Sequence, residues 1–153
     1  MSESTVQTEW PPSATPQLQQ GQIRTHPADF IVRETLSFEL TDEGCHHYLL
    51  LRKNGANTEW VARQLARFAE IPSKSVGYAG RKDRQAITDQ WFSVELPALS
   101  TLDWAKLDLP GVQLLKHRRH GRKLRLGAIK HNHFRLVIRQ ITGEWQQFAE
   151  RIE

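Results

Sequence analysis

The run His47-Tyr48-Leu49-Leu50-Leu51-Arg52, followed closely by Asn54-Gly55, constrains this chain most. A short apolar run ended by a turn dipeptide is a strand signal. The residues after the turn change period. Asn57 or Thr58 can cap a helix, and Val61, Leu65 and Phe68 recur at helical spacing. A helix with one buried face is therefore predicted to run to about Phe68 or Glu70, stopped by Pro72. Strand, turn and helix, flanked by further short extended runs, read as a mixed α+β domain. Short antiparallel connections dominate over regular βαβ units.

The flanking runs fit that class. Gln22-Ile23-Arg24 reads as a short strand, and His26-Pro27-Ala28-Asp29-Phe30 as a turn, because Pro27 fixes φ and Asp29 can bond local backbone. Phe30 to Glu34, Trp91 to Leu96 and Val112 to Leu115 read as extended. Ser73 to Val76 reads as a short helical turn leading into Gly77, and His120-Gly121 as a turn between basic flanks. Phe134, Leu136 and Ile138 alternate with Arg135, Val137 and Arg139, which predicts a strand with an apolar side and a largely basic side. Trp60 and Trp91 read as packing residues. Residues 1–20, rich in Ser, Thr, Gln and Pro, read as a flexible tail. One domain is expected over 21–140. From Ile141 to Glu153 a new polar segment begins, in which Trp145 and Phe148 start an apolar helical face with no partner, so the chain is expected to continue beyond it.

Charge narrows the partners. From Lys116 to Arg139 there are nine Lys or Arg residues and no Asp or Glu. Like charges confined to one region repel unless a polyanion relieves them, which makes nucleic acid the leading partner over a merely solvated basic strand pair. No apolar run approaches membrane-spanning length and no secretory apolar region opens the chain, so no membrane partner and a cytoplasmic location are expected. Cys45, the only cysteine, fits a reducing compartment and has no neighbour that marks it as a nucleophile.

The chemistry is expected at Gly80-Arg81-Lys82-Asp83-Arg84-Gln85-Ala86-Ile87-Thr88-Asp89-Gln90-Trp91. A carboxylate between basic residues can be held as an anion, and a carboxylate anion can be a nucleophile. The competing reading of Asp83 is a turn residue bonding local backbone. Gly77-Tyr78-Ala79-Gly80-Arg81-Lys82 lacks the glycine and Lys-Ser/Thr pattern of a phosphate loop. Its glycines more simply allow close approach around Asp83. Thr88 and Gln90 either orient that loop or are ordinary strand-edge polar residues. His117, His120, His131 and His133 have ligand-like spacings, but Lys and Arg surround them and no thiolate or carboxylate accompanies them, so no metal is expected. Phe30 and Phe134 read equally as core residues or as rings that stack on an extracted base.

Three separated motifs resemble the tRNA pseudouridine synthase D family. They are Arg24 to Glu34, Gly77 to Gln90, and Leu126 to Phe134, and Asn57-Thr58 into Val61-Ala62 adds support. The resemblance implies a catalytic domain built on a mixed, largely antiparallel sheet with flanking helices, interrupted by a family-specific insertion. This chain would be its N-terminal portion, without the insertion or the returning C-terminal segment, and its domain would be incomplete. Asp83 matches the catalytic aspartate. Arg24 matches a basic position, commonly Lys, that approaches it. Phe30, Asn132 and Phe134 match active-site positions, with Phe134 facing the base. Lys82, Arg122, Lys123, Arg125 and Lys130 are expected to contact RNA.

The implied reaction converts uridine to pseudouridine in tRNA, at position 13 of the D arm, with no cofactor or metal. The full-length enzyme is expected to be a monomer without an obligatory protein partner. The alternative is a noncatalytic RNA-binding module. It explains the basic segment but not a carboxylate between Lys82 and Arg84, which weakens attraction for phosphate. A metal-dependent RNA hydrolase would need a ligand cluster that the sequence does not assemble.

Overall fold

A computed structural model describes residues 20–97 and 100–142. The expected tail (apart from Gln20) and the segment carrying Trp145 and Phe148 lie outside the described residues. The elements are β1 (Gln20–Ile23), β2 (Phe30–Leu36), β3 (His46–Asn54), α1 (Thr58–Phe68), β4 (Val76–Tyr78), β5 (Ile87–Glu95), β6 (Val112–His120), β7 (Ile129–Leu136) and β8 (Ile138–Thr142). Short 3-10 turns occupy Pro27–Asp29, Ser73–Ser75 and Trp104–Lys106. The larger of two compact units, Gln22–Arg139, contains a six-stranded sheet of order β6-β3-β5-β2-β7, with β4 also on β5. β1 and β8 pair as a separate ribbon.

β5 organises the sheet. One edge pairs antiparallel with all of β3, from His46↔Glu95 to Asn54↔Ile87. The other edge is shared: Val76–Tyr78 pairs antiparallel with its C-terminal half, and β2 runs parallel to its first residues, Ile31↔Ile87 to Arg33↔Asp89. That parallel step makes the sheet mixed; every other pairing in it is antiparallel.

Side-chain alternation gives the sheet two apolar faces. Leu49, Leu51, Phe92 and Val94 point to the layer of α1, where Val61, Ala62, Leu65 and Ala66 meet them with Val76 and Trp104. Tyr48, Trp91 and Leu124 form a smaller cluster on the other face, edged by Leu36, Phe38 and Leu50. The helix begins where the sequence predicts, with the Asn57 side chain accepting from the Glu59 N–H at 2.9 Å. It ends at Phe68, before Pro72, as the chain turns through a left-handed Glu70.

The structure corrects some expectations. The predicted strand Phe134 to Arg139 is divided at Val137 between β7 and β8. Its apolar side, left open between core and stacking roles, is exposed: Phe134 by 66% and Leu136 by 45%, on a strand at the edge of the sheet. β6 continues through His117 to His120, well past the predicted Leu115. Arg24 lies outside β1, with φ of +58°.

Candidate active site

Asp83 sits in the loop between β4 and β5, and Arg24 lies between β1 and β2. The two meet, Arg24 Nη1 lying 3.2 Å from Asp83 Oδ2, with both side chains nearly half exposed. Arg24 adopts a left-handed backbone, which costs a non-glycine residue on the order of 1 kcal/mol and tends to persist at functional sites. Its guanidinium is also 4.4 Å from the centre of the Phe30 ring, a cation–π contact.

Asp29 holds the turn that joins Arg24 to Phe30. Its buried carboxylate accepts the His26 N–H at 3.0 Å and two hydrogen bonds from Arg139 at 2.7 and 2.8 Å. Its own carbonyl accepts from the Val137 N–H at 2.7 Å. The Arg139 hydrogen bond, opposed by burial and helped by the His26 N–H, holds the Asp29 carboxyl down at about 2.

A cleft of about 280 Å³ opens over Asp83, lined by Phe30, Val32, Arg81, Lys82, Asn132 and Phe134. The Phe30 and Phe134 rings are near parallel, 11° apart in plane with centroids at 6.0 Å. β2 and β7 bring them together, since Phe30 pairs with Leu136 and Val32 with Phe134 across the ladder. Asn132 lines the cleft, and its Oδ1 is buried without a hydrogen-bond partner among the described residues. An anion, a cation beside it, an exposed aromatic face and a lining amide suit a flat, polar, uncharged ring.

Lys82 lines this cleft, but its ammonium turns inward to within 2.6 Å of the buried Glu34 carboxylate. A phosphate contact through Lys82 would have to displace that pair. Arg122, Lys123 and Arg125 line a different cavity, of about 750 Å³, together with Phe38, Tyr48 and His120. Lys130 is exposed on β7. The basic segment is also less unbalanced than its sequence suggests, because Arg118 pairs with Asp42 and Arg139 with Asp29.

Sequence reasoning assigned no role to two polar residues near the site, Lys53 and Asp89, and left that of Gln90 open. Lys53 is 1% exposed on β3, its ammonium donating to the Ala56 carbonyl at 3.2 Å. Burial pushes that ammonium down to about 8, against the opposing pull of Glu34. Asp89 is buried and accepts two hydrogen bonds from Arg52 at 2.7 and 2.8 Å, tying β5 to β3. Gln90 is fully buried within β5, opposite Leu51 of β3, and its side chain reaches the site loop by donating to the Gly80 carbonyl. The acidic motif signalled Asp89 and Gln90; nothing in the sequence signalled a buried Lys53.

His117 and His120 do not gather with His131 and His133 as a metal set. Among the described residues the group with ligand atoms within 4.8 Å of one another is Cys45, His46 and Glu95, at the opposite end of the β3–β5 pair from Asp83. Burial holds the His46 imidazole below its ordinary range against the pull of Glu95, and the Lys123 charge nearby opposes a divalent ion there.

The model of the family described as tRNA pseudouridine synthase D (TruD) matches residues 13–153. The chain belongs to this family. It is 47% identical over 131 residues to the tRNA pseudouridine synthase D of Hydrogenovibrio crunogenus, covering 86% of this chain and 38% of that protein. It is 43% identical over 132 residues to that of Pseudoalteromonas atlantica, covering 86% of this chain and 37% of that protein. The chain thus spans well under half the length of the curated relatives it matches. The fold agrees with a TruD crystal structure from Methanosarcina mazei, with a TM-score of 0.79 and 28% identity, covering 92% of this chain and 31% of that one. Among the described residues no helix is long and apolar enough to cross a membrane.

Proposed function

We propose that this chain is the N-terminal part of an enzyme that isomerises uridine to pseudouridine in tRNA, at position 13 of the D arm, with Asp83 as the catalytic residue. The observation that carries the reading is the Arg24–Asp83 ion pair at 3.2 Å, set in a cleft walled by Phe30, Asn132 and Phe134. In the reaction the N1–C1′ bond breaks, the uracil turns, a C5–C1′ bond forms, and the C5 proton is exchanged for one on N1. Asp83 either attacks C1′ to form a glycosyl adduct or removes the 2′ proton to pass through a glycal. Arg24 aims the carboxylate.

The target base must leave its stack to reach such a cleft. Phe134, two-thirds exposed, offers a face for it. Asn132, which lines the cleft, supplies the polar contact that a uracil edge requires. Arg122, Lys123, Arg125 and Lys130 contribute phosphate contacts away from the reacting bond. That division of labour gives the test. In the full-length enzyme, Asp83→Ala abolishes pseudouridine formation while tRNA affinity is largely kept. Equal loss of binding and product would refute the separation, and tight binding without product in the unsubstituted enzyme would favour a noncatalytic RNA-binding module.

A further inference from the structure

Glu34, Thr58, Lys82 and Gln90 have no task in that reaction, yet they surround the loop that carries Asp83. The loop has no regular secondary structure from Gly80 to Asp83. Gly80 takes φ of +126°, a region that disfavours any side chain, so the loop needs outside support to hold one conformation. It is held from behind by three links. The Gln90 Nε2 donates to the Gly80 carbonyl at 2.8 Å. The Lys82 N–H donates to Thr58 Oγ1 at 3.0 Å, and that hydroxyl donates onward to Gln90 Oε1, also at 3.0 Å. The third link is electrostatic: the Lys82 ammonium lies 2.6 Å from Glu34 Oε1 as an ion pair without hydrogen-bond geometry, with the side chains 12% and 0% exposed.

Glu34 is itself anchored. Its second oxygen accepts the Trp91 N–H of β5 at 2.8 Å. Its backbone lies in the ladder between β2 and β7, opposite Asn132. Lys53 adds a second buried cation that feels Glu34, Lys82 and Asp83 together. Lys82 therefore turns inward to a fixed carboxylate, while its neighbour Asp83 turns outward to Arg24.

We infer that Glu34 is a positioning residue for Asp83: acting through the Lys82 ammonium, it fixes the loop so that the carboxylate meets Arg24 at the cleft. The inference rests on the reaction proposed above only for its kinetic readout. Glu34→Gln keeps an acceptor for the Trp91 N–H and removes the charge, leaving Lys82 as an unpaired buried cation that must move toward water. Because the two residues act as one unit, Glu34→Gln/Lys82→Met should do no more damage than either single change.

The experiment compares the full-length enzyme with its Glu34→Gln, Lys82→Met and double variants by steady-state kinetics on unmodified tRNA and by crystal structure. The expected result is kcat lowered on the order of 10²-fold for each variant, as a displaced catalytic group predicts, with KM unchanged. In the crystal structure of Glu34→Gln the Asp83 carboxylate should leave Arg24 by more than about 4 Å, the limit of an ion pair. Retained kcat in the folded protein, with Asp83 still on Arg24 and only the melting temperature lowered, would overturn the inference and leave Glu34 a structural residue. If the unsubstituted enzyme makes no pseudouridine, the proposed reaction fails, and the position of Asp83 in the variant structure decides the inference alone. Should Glu34→Gln not fold, Lys82→Met carries the same readouts.

Discussion

Acid should loosen this chain through one buried histidine. His47 is 4% exposed, its Nδ1 accepting from Trp104 Nε1 at 3.0 Å and lying 3.1 Å from His117 Nε2. Burial first, then the nearby His117 and Arg119, hold its imidazole at about 4 rather than 6.5. A base whose folded value is depressed is protonated first in the unfolded chain. Its stabilising contribution is complete above about pH 6.5 and is lost as the pH falls toward 4. At about 1.4 kcal/mol per pH unit, that interval amounts to at most about 3.5 kcal/mol, a large part of the stability of an ordinary domain. Protonation also places a hydrogen on the nitrogen that now accepts from Trp104. His47→Asn keeps an acceptor near that point and removes the titration. Urea unfolding followed by tryptophan fluorescence, at neutral pH and near pH 4.5, should show a smaller acid loss in His47→Asn than in the unsubstituted chain. Equal losses in the two proteins would refute the assignment to His47.

Asp29 makes a second acid-sensitive point with its own window. Because Arg139 holds its carboxyl at about 2 against an ordinary 3.8, its contribution is present above about pH 4 and lost as the pH falls through 2, and Asp29→Asn should flatten unfolding curves across that range. Leu65→Ala, at a fully buried position where α1 meets the sheet, should cost about 2–5 kcal/mol in urea unfolding at neutral pH. Gly77→Ala should destabilise by about 1–3 kcal/mol in the same assay, because a Cβ there would lie 2.4 Å from the Leu124 carbonyl oxygen and 2.7 Å from Ser93 Oγ.

The parts of the fold legible in the sequence are those set by local chemistry. The turn Asn54-Gly55, the Asn57 cap and the apolar residues of α1 specify their element almost unaided, and α1 starts within a residue of its predicted position. The parallel pairing of β2 with β5 has no local signal, since the partners are far apart in the chain and nothing in either strand names the other. His117 to His120 read as a basic flank because β6 is an edge strand, where polar residues are tolerated on both faces. The alternation of Phe134 and Leu136 gave the strand period and left open whether that side is covered, since periodicity says which residues share a side but not whether another layer covers it.

At the candidate site the motifs led to Asp83, Arg24, Phe30, Asn132 and Phe134, and the structure brings these side chains together around one cleft. Their supporting shell was hidden. Glu34 and Lys53 look like solvated strand charges in sequence, and only the fold shows that both are buried and face the Asp83 loop. Lys82 illustrates the same limit from the other side: its place beside Asp83 suggests a contact with RNA, and nothing local shows that its ammonium lies against Glu34.

The most direct test of the central claim is pseudouridine formation in unmodified tRNA, without added metal, by the full-length enzyme and its Asp83→Ala variant. The account predicts product from the unsubstituted enzyme and none from Asp83→Ala, with tRNA bound by both. Product formed equally by both would contradict the role of Asp83, and no product from either on a broad tRNA pool would contradict the proposed reaction.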